Sequence, residues 1–234
     1  KKDAKCHLLR PEEVERLFTA MGRTKLMAPP TDCLSPIGEP LILKSLGEQV
    51  EADFYTAVSR RPSVYRGNPF LVEAGLAYGG DLPADQLVTL VRFANRVPLL
   101  FQQSACAISD AVVRTDWRSY GLSQSKGALP SGSAVLLVHV ASVWVPFTSE
   151  SKEAVADYDE IVREIRLALQ ECGRKLGMFV KRRKREAEAE RKRSYIEKYI
   201  PYIGEALQEI LSINQTKRSR LENKLKSLLE RSRR

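Results

Sequence analysis

The sequence predicts an α/β fold of the two-layer α+β type, in the order β-β-β-α-β-α, followed by a long charged helix and a C-terminal helical segment. Three observations carry that expectation. Residues 1–153 alternate turn signals with short runs rich in branched and aromatic side chains. One later run, 134–140, is apolar apart from His139 and reads as a buried strand. From about Ala154 the chain takes on a helical period and dense charge. The expected division is a helical lead-in over 1–48, an α/β domain over 49–153, a stalk helix over 154–200 and a C-terminal helical segment over 201–234.

The elements follow in order. Residues 11–18 predict a short helix, with Pro11 at a first helical position and Glu12 and Glu13 complementing the N-terminal dipole. Residues 28–32 break the pattern, and 41–46 resume it. Three strands are expected over 52–58, 70–78 and 87–93, the second ending in the turn signal Gly79-Gly80. No long helix separates them, so an antiparallel meander is the simplest pairing. Residues 104–113 predict a helix with Ser104 as N-cap and Ala105, Ile108, Ala111 and Val112 as its stripe. A loop with Gly121, Gly127 and Pro130 leads into the buried strand.

Ile161, Ile165, Leu169, Cys172, Leu176 and Phe179 then recur at helical spacing. The run Lys181-Arg-Arg-Lys-Arg185 interrupts that stripe, and charge alternates onward, as in a helix with no core beneath it. Pro201 is expected to stop or kink the helix. A second amphipathic piece carries Ile203, Leu207, Ile210 and Leu211. The basic tail carries Leu221, Leu225, Leu228 and Leu229.

Bulk properties set outer limits. The chain has 234 residues, is 43% hydrophobic and carries a formal charge of +9. That is enough apolar content for a core, and the charge favours an anionic partner. The chain starts at Lys1 without a methionine, which suggests a cut from a longer protein. Four cysteines (Cys6, Cys33, Cys106, Cys172) and two histidines (His7, His139) are too scattered for a zinc site, so no metal site is expected. Free cysteines fit a reducing, intracellular compartment. No segment reads as a signal peptide, and the longest charge-free apolar run, 134–147, is shorter than the ~18 residues of a membrane span. Asp157 and Asp159 come with no histidine or ligand set, so no acid–base site is expected.

Five stretches resemble the topoisomerase VI B subunit, in order and in approximate spacing. They are Ala28-Pro-Pro-Thr-Asp-Cys-Leu-Ser-Pro-Ile-Gly-Glu39, Tyr65-Arg-Gly-Asn-Pro-Phe70 and Val91-Arg-Phe-Ala-Asn-Arg-Val-Pro-Leu-Leu100. Next come Val138-His-Val-Ala-Ser142 with Val145-Pro-Phe147, and Lys152-Glu-Ala-Val-Ala156 running into Glu164-Ile-Arg-Leu-Ala-Leu-Gln170. The resemblance covers roughly residues 8–180.

It implies an ATPase of the GHKL superfamily that dimerises on ATP and closes over a DNA duplex. This chain would supply its transducer domain, with a fold like ribosomal protein S5 domain 2, and a helix leading to the A subunit, which cleaves DNA. The implied partners are that A subunit, a second B subunit and double-stranded DNA, with no membrane. The implied cofactor is ATP with Mg2+, bound mainly by an upstream domain. No segment here supplies a Walker-type loop or an ATP lid, so no catalytic residue is expected in this chain, and alone it should not hydrolyse ATP. The implied setting is the cytoplasm of an archaeon, or the nucleus of a eukaryote.

The resemblance also implies site residues. In related ATPases a transducer loop with a glutamine and a lysine reaches the nucleotide, and Gln124-Ser-Lys126-Gly127 matches it, with Lys126 reading the γ-phosphate. The residues alone leave open an ordinary solvated lysine on a surface loop. Trp117-Arg118-Ser-Tyr120 resembles a tryptophan-lysine-x-tyrosine motif associated with DNA contact, with arginine in place of lysine. Packing of Trp117 and Tyr120 against the preceding helix remains the alternative. Arg60, Arg61 and Arg66, near the first strand turn, and Lys181, Arg182 and Arg183 on the helix are phosphate-contact candidates or plain solvated cations. Ile203, Leu207, Ile210 and Leu211 need cover, from the A subunit or from a hairpin with Leu221, Leu225 and Leu228. The competing reading for the whole chain is a non-enzymatic basic nucleic-acid-binding or scaffold module of the same fold.

Overall fold

The computed structural model describes residues 9–24, 27, 29–212 and 214–231, the side chains of 229–231 excepted. Cys6, His7, Ala28 and the Leu229 side chain, used in the sequence reading, lie outside them. Two helices lead in, α1 (Pro11–Arg23) and α2 (Glu39–Gln49). The strands β1 (Phe54–Ser59), β2 (Ser63–Tyr65), β3 (Asn68–Tyr78), β4 (Thr89–Ala94) and β5 (Val97–Pro98) follow. Then come helix α3 (Ala107–Val113), the short strands β6 (Ser123–Gln124) and β7 (Pro130–Ser131), and the long strand β8 (Ala134–Ser142). Helix α4 (Asp159–Leu211) has 53 residues, about 80 Å at ~1.5 Å per residue, and α5 (Gln215–Arg231) folds back on it.

The sheet order is β1-β3-β8-β4-β5, with β2 also paired to β3. The expected meander is corrected here: β4 does not pair with β3. β8 lies between them, antiparallel to β3 and parallel to β4. The reason is in β8 itself. All nine of its residues are buried, and a strand with no polar face needs a neighbour on each edge and cover on both faces. The α/β class stands, but cover is on both faces. Leu136, Val138 and Val140 join the main core under α3 and α4, while Val135 and Leu137 face Ile42 and Leu46 of α2. Gly75 permits that approach, since a Cβ there would sit 2.6 Å from Ile42 Cγ2.

Three further expectations change. Ser104 lies in a 3₁₀ turn, and Cys106 is the N-cap of α3, without a side-chain cap bond. The long helix starts at Asp159 rather than near Ala154. It also does not stop at Pro201 but runs on to Leu211, across the boundary expected there. An interior proline costs a helix ~3 kcal/mol. Here α5 packs against this stretch, burying Ile200 and Gly204, and Arg218 Nη2 donates to the Pro201 carbonyl at 3.4 Å.

Along α4 the packing changes abruptly. Ile161, Val162, Ile165, Ala168, Leu169, Cys172 and Leu176 are buried under the sheet. Residues 181–192 are all exposed. Near the changeover Phe179 stacks on Phe54 at 4.8 Å, and Lys175 Nζ donates to the Ala57 carbonyl at 3.2 Å, tying the helix to β1. Among the described residues no helix is long and apolar enough to cross a membrane, and no cluster of three or more His, Cys, Asp or Glu could hold a metal ion.

Candidate functional site

Residues 123–131, read as loop from the sequence, form a small hairpin of β6 and β7. Its tip is a turn closed by the Ala128 N–H donating to the Ser125 carbonyl at 3.2 Å, with Gly127 at φ +73°. Only a residue without a Cβ takes that left-handed conformation freely. Lys126 stands exposed at this tip. A cleft of about 430 Å³ lies beside it, lined among others by Arg114, Asp116, Arg118, Gln124 and Lys126. The expected switch lysine and one expected DNA-contact arginine therefore share one depression. Arg118 pairs with Asp116 at 3.6 Å with both side chains exposed, so its charge is only weakly held.

Gln124 does not face the cleft as a free amide. Its Nε2 donates to the carbonyls of Val113 (2.9 Å) and Ala128 (3.2 Å), and its Oε1 accepts the Trp117 N–H at 3.2 Å. Both ends of the amide are committed within the fold. In this structure the Gln124 amide anchors the hairpin root to the end of α3 and to the next turn.

That turn, Trp117–Tyr120, is a single 3₁₀ turn. Trp117 is 0% exposed, its indole N–H donates to the Val112 carbonyl at 2.9 Å, and its ring meets Tyr120 edge-on at 6.1 Å. In this structure the Trp117 ring is packed in the core and presents no surface to a duplex. Tyr120 lies half-buried against α4. A Cβ on Gly173 would come within 2.4 Å of its ring, and one on Gly177 would make ordinary contact at 3.6 Å. Of the four-residue motif, Arg118 alone presents charge to solvent.

The other cations divide. Arg60 Nε reaches Glu164 Oε2 at 3.2 Å and Nη1 reaches Glu171 Oε2 at 3.9 Å, so it clamps the β1–β2 turn to α4 and is not a free phosphate ligand in this structure. Arg61 is exposed. Arg66, at φ 48°, lies over the rings of Tyr65 and Tyr158 at 5.3 and 5.4 Å. On α4, Lys181 is exposed, Arg182 pairs with Glu186 at 3.8 Å, and Arg183 pairs with Asp53 at 3.0 Å. The hairpin read as an alternative for the last segment forms. Leu207, Leu221 and Leu225 are half-buried between α4 and α5, while Ile203, Ile210, Leu211 and the expected hairpin residue Leu228 stay exposed.

Sequence reasoning missed a second centre. Glu73 and His139 are 0% exposed and 2.8 Å apart on adjacent strands. His139 Nε2 accepts the Arg96 N–H at 3.0 Å, so Nδ1 carries the proton given to Glu73 Oε2. Glu73 also accepts the N–H groups of Ile37 (2.7 Å) and Gly38 (2.8 Å) and the Ser59 hydroxyl (3.2 Å). Burial alone would raise the Glu73 carboxyl. The hydrogen bonds from His139, Ile37 and Gly38 outweigh it and hold the group below its ordinary value. Arg96 Nη2 donates to the Pro36 carbonyl at 2.6 Å, and the Asn95 amide exchanges two 2.9 Å bonds with the Ser142 backbone. Thus residues 36–38 of the first stretch singled out above, together with the stretches 91–100 and 138–142, converge here and latch the lead-in to the sheet. A signal existed: a histidine in an otherwise apolar strand needs a buried partner.

A family model described as "Topoisomerase VI B subunit, transducer" matches residues 29–192. The B subunit of type 2 DNA topoisomerase 6 from Archaeoglobus fulgidus is 48% identical over 200 residues, 86% of this chain and 33% of that protein. The same-named protein of Methanosarcina mazei is 46% identical over 205 residues, 88% of this chain and 33% of its own length. The chain thus spans about a third of the length of the curated relatives it matches. A solved B subunit of DNA gyrase from Myxococcus xanthus aligns with 50% of this chain and 37% of its own at TM-score 0.34 and 21% identity, too distant to bear on fold or function.

Proposed function

The chain belongs to the topoisomerase VI B-subunit transducer family, and from that membership we propose that it is the energy-transducing part of an ATP-dependent type II DNA topoisomerase. In this reading it couples ATP binding and hydrolysis, and dimerisation of two B subunits, to DNA cleavage and strand passage by an A subunit. Supercoils are relaxed and duplexes decatenated as a result. The carrying observation is Lys126, exposed at the tip of an anchored hairpin and, among the described residues, without an ion-pair or hydrogen-bond partner.

An ammonium on a stiff turn with glycine beside it suits a phosphate held by another part of the protein. Mg-ATP, bound upstream, would supply the terminal phosphate. The bond from Lys126 to that phosphate contributes roughly 1.5–3 kcal/mol and lasts only while the phosphate is attached, so hydrolysis releases the hairpin. Gln124 supports that role from behind in this structure, its amide bonded inside the fold at the hairpin root. For DNA, Arg118, Arg61 and residues 181–183 remain the exposed cations, and contact through them would weaken with salt. Ile203, Ile210 and Leu211 are the apolar groups offered to the A subunit. The setting would be the cytoplasm of an archaeon.

The test uses the intact B subunit with its A subunit. Lys126→Ala is expected to lower ATP-dependent strand passage about tenfold or more, the rate equivalent of the lost bond, with reduced ATP turnover. Unchanged turnover together with unchanged strand passage would overturn the reading.

A further inference from the structure

We propose that Gln124, Trp117, Tyr120 and Gly173 form a relay that fixes the Lys126 hairpin to the base of α4, so that hairpin and helix move as one body. The inference rests on the reading of Lys126 given above and adds residues that the reading does not require. Gln124 and Tyr120 are positioning residues in this scheme: neither touches nucleotide or DNA.

The chain of contacts is continuous. The five residues between Gln124 and Pro130 are the tip, and the Gln124 amide holds their root at three points, on Val113, Ala128 and Trp117. Trp117 has no freedom to yield, being fully buried with its indole N–H on Val112. Its ring abuts Tyr120, and Tyr120 lies against Gly173, where even a methyl group would meet ring carbons at 2.4 and 2.5 Å. Gly121 follows at φ +100°, and a Cβ there would sit 3.1 Å from Val180 Cγ1. Positions 173, 177 and 180 lie on one stripe of the helix. The turn therefore seats along α4 over its last two supported turns, immediately before the exposed run 181–192.

Close seating has a mechanical consequence. A glycine inside a helix costs about 1 kcal/mol relative to alanine, and at 173 it gives the tyrosine ring direct access to the helix backbone. Packed interiors transmit displacement rather than absorb it. A pull on Lys126 thus turns the helix base, and the bare helix beyond it, about 30 Å from residue 181 to residue 199 at ~1.5 Å per residue, amplifies the motion.

The experiment measures ATP turnover and strand passage separately in the intact B subunit assembled with A, and takes their ratio. Gly173→Ala is expected to lower strand passage per ATP about fivefold or more, within the usual range of coupling between sites. ATP turnover and nucleotide-dependent dimerisation should persist. Gly177→Ala, one turn on and in ordinary contact only, should leave the ratio unchanged. Gln124→Ala does not touch the helix and should uncouple in the same way, which keeps the test open if Gly173→Ala folds poorly. In a Tyr120→Ala background, adding Gly173→Ala should change nothing more. A normal ratio in both Gly173→Ala and Gln124→Ala, alongside an inactive Lys126→Ala, would overturn the relay and leave the phosphate-sensing reading intact. A fully active Lys126→Ala would instead remove the reading on which the relay stands.

Discussion

The two halves of α4 make opposite use of the same backbone geometry. From Ile161 to Leu176 the helix is a core element, with an apolar stripe buried under the sheet. Over residues 181–192 every residue is exposed; Arg183 at its start still pairs with Asp53, and the stretch otherwise depends on propensity and weak pairs such as Arg182–Glu186. Cover returns only at Ile200 and Gly204, where α5 packs. A helix supported at both ends and bare between them is a strut. The switch in the sequence from stripe to charge run marks where the body stops and the strut starts.

The largest expected break in that contrast is in the body. Trp117→Ala empties the core beside the helix base and should cost about 3–5 kcal/mol in urea unfolding. Ile196→Ala, on the strut and 48% exposed, should stay within about 0.5 kcal/mol. A comparable loss at both positions would erase the distinction between the regions.

Pro201→Ala probes the strut from the other side. It restores a backbone donor and should stabilise the helix locally by up to ~3 kcal/mol. Amide exchange should show slower exchange around residues 197–205 with unchanged protection in β8. Slowed exchange in β8 as well would mean that body and strut unfold as one unit.

Glu73 tests the latch within the body. A carboxyl lowered on folding contributes stability that is complete above its unfolded value near 4.5 and is lost as the pH falls through the folded value. Glu73→Gln should cost roughly 1–3 kcal/mol at neutral pH and flatten the decline in stability below about pH 4.5. An identical acid limb in wild type and variant would show that other groups set it. The smallest effect is expected at Arg183→Ala. Its bond to Asp53 joins two half-exposed side chains, and its loss should change stability by less than about 1 kcal/mol, vanishing in high salt.

Much of this was legible in the sequence because it is local. The stripe from Ile161 to Phe179, its end at Lys181 and the apolar run of β8 follow from the spacing of neighbours along the chain. The strand order was not, because alternation within 70–78 or 87–93 says nothing about which strand lies alongside. The meander expectation failed for that reason, although the lack of a polar face in β8 already required a central place. At the site, the exposed turn at Lys126 was readable from Ser125, Lys126 and Gly127. The use of Gln124 was not, since one amide suits a phosphate and a backbone carbonyl equally and only the fold decides. Trp117 shows the same limit: an aromatic beside a cation is compatible with DNA or with a core until its burial is known.

The claim that hairpin and helix base form one body is tested most directly by a distance between them. Spin labels at Ser125→Cys and Arg174→Cys, the latter exposed on the helix base, in the intact B subunit with its exposed native cysteines replaced, would be measured with and without a non-hydrolysable ATP analogue. One narrow distance distribution, the same in both states, is the predicted result. A distribution that shifts or splits when nucleotide binds would contradict it.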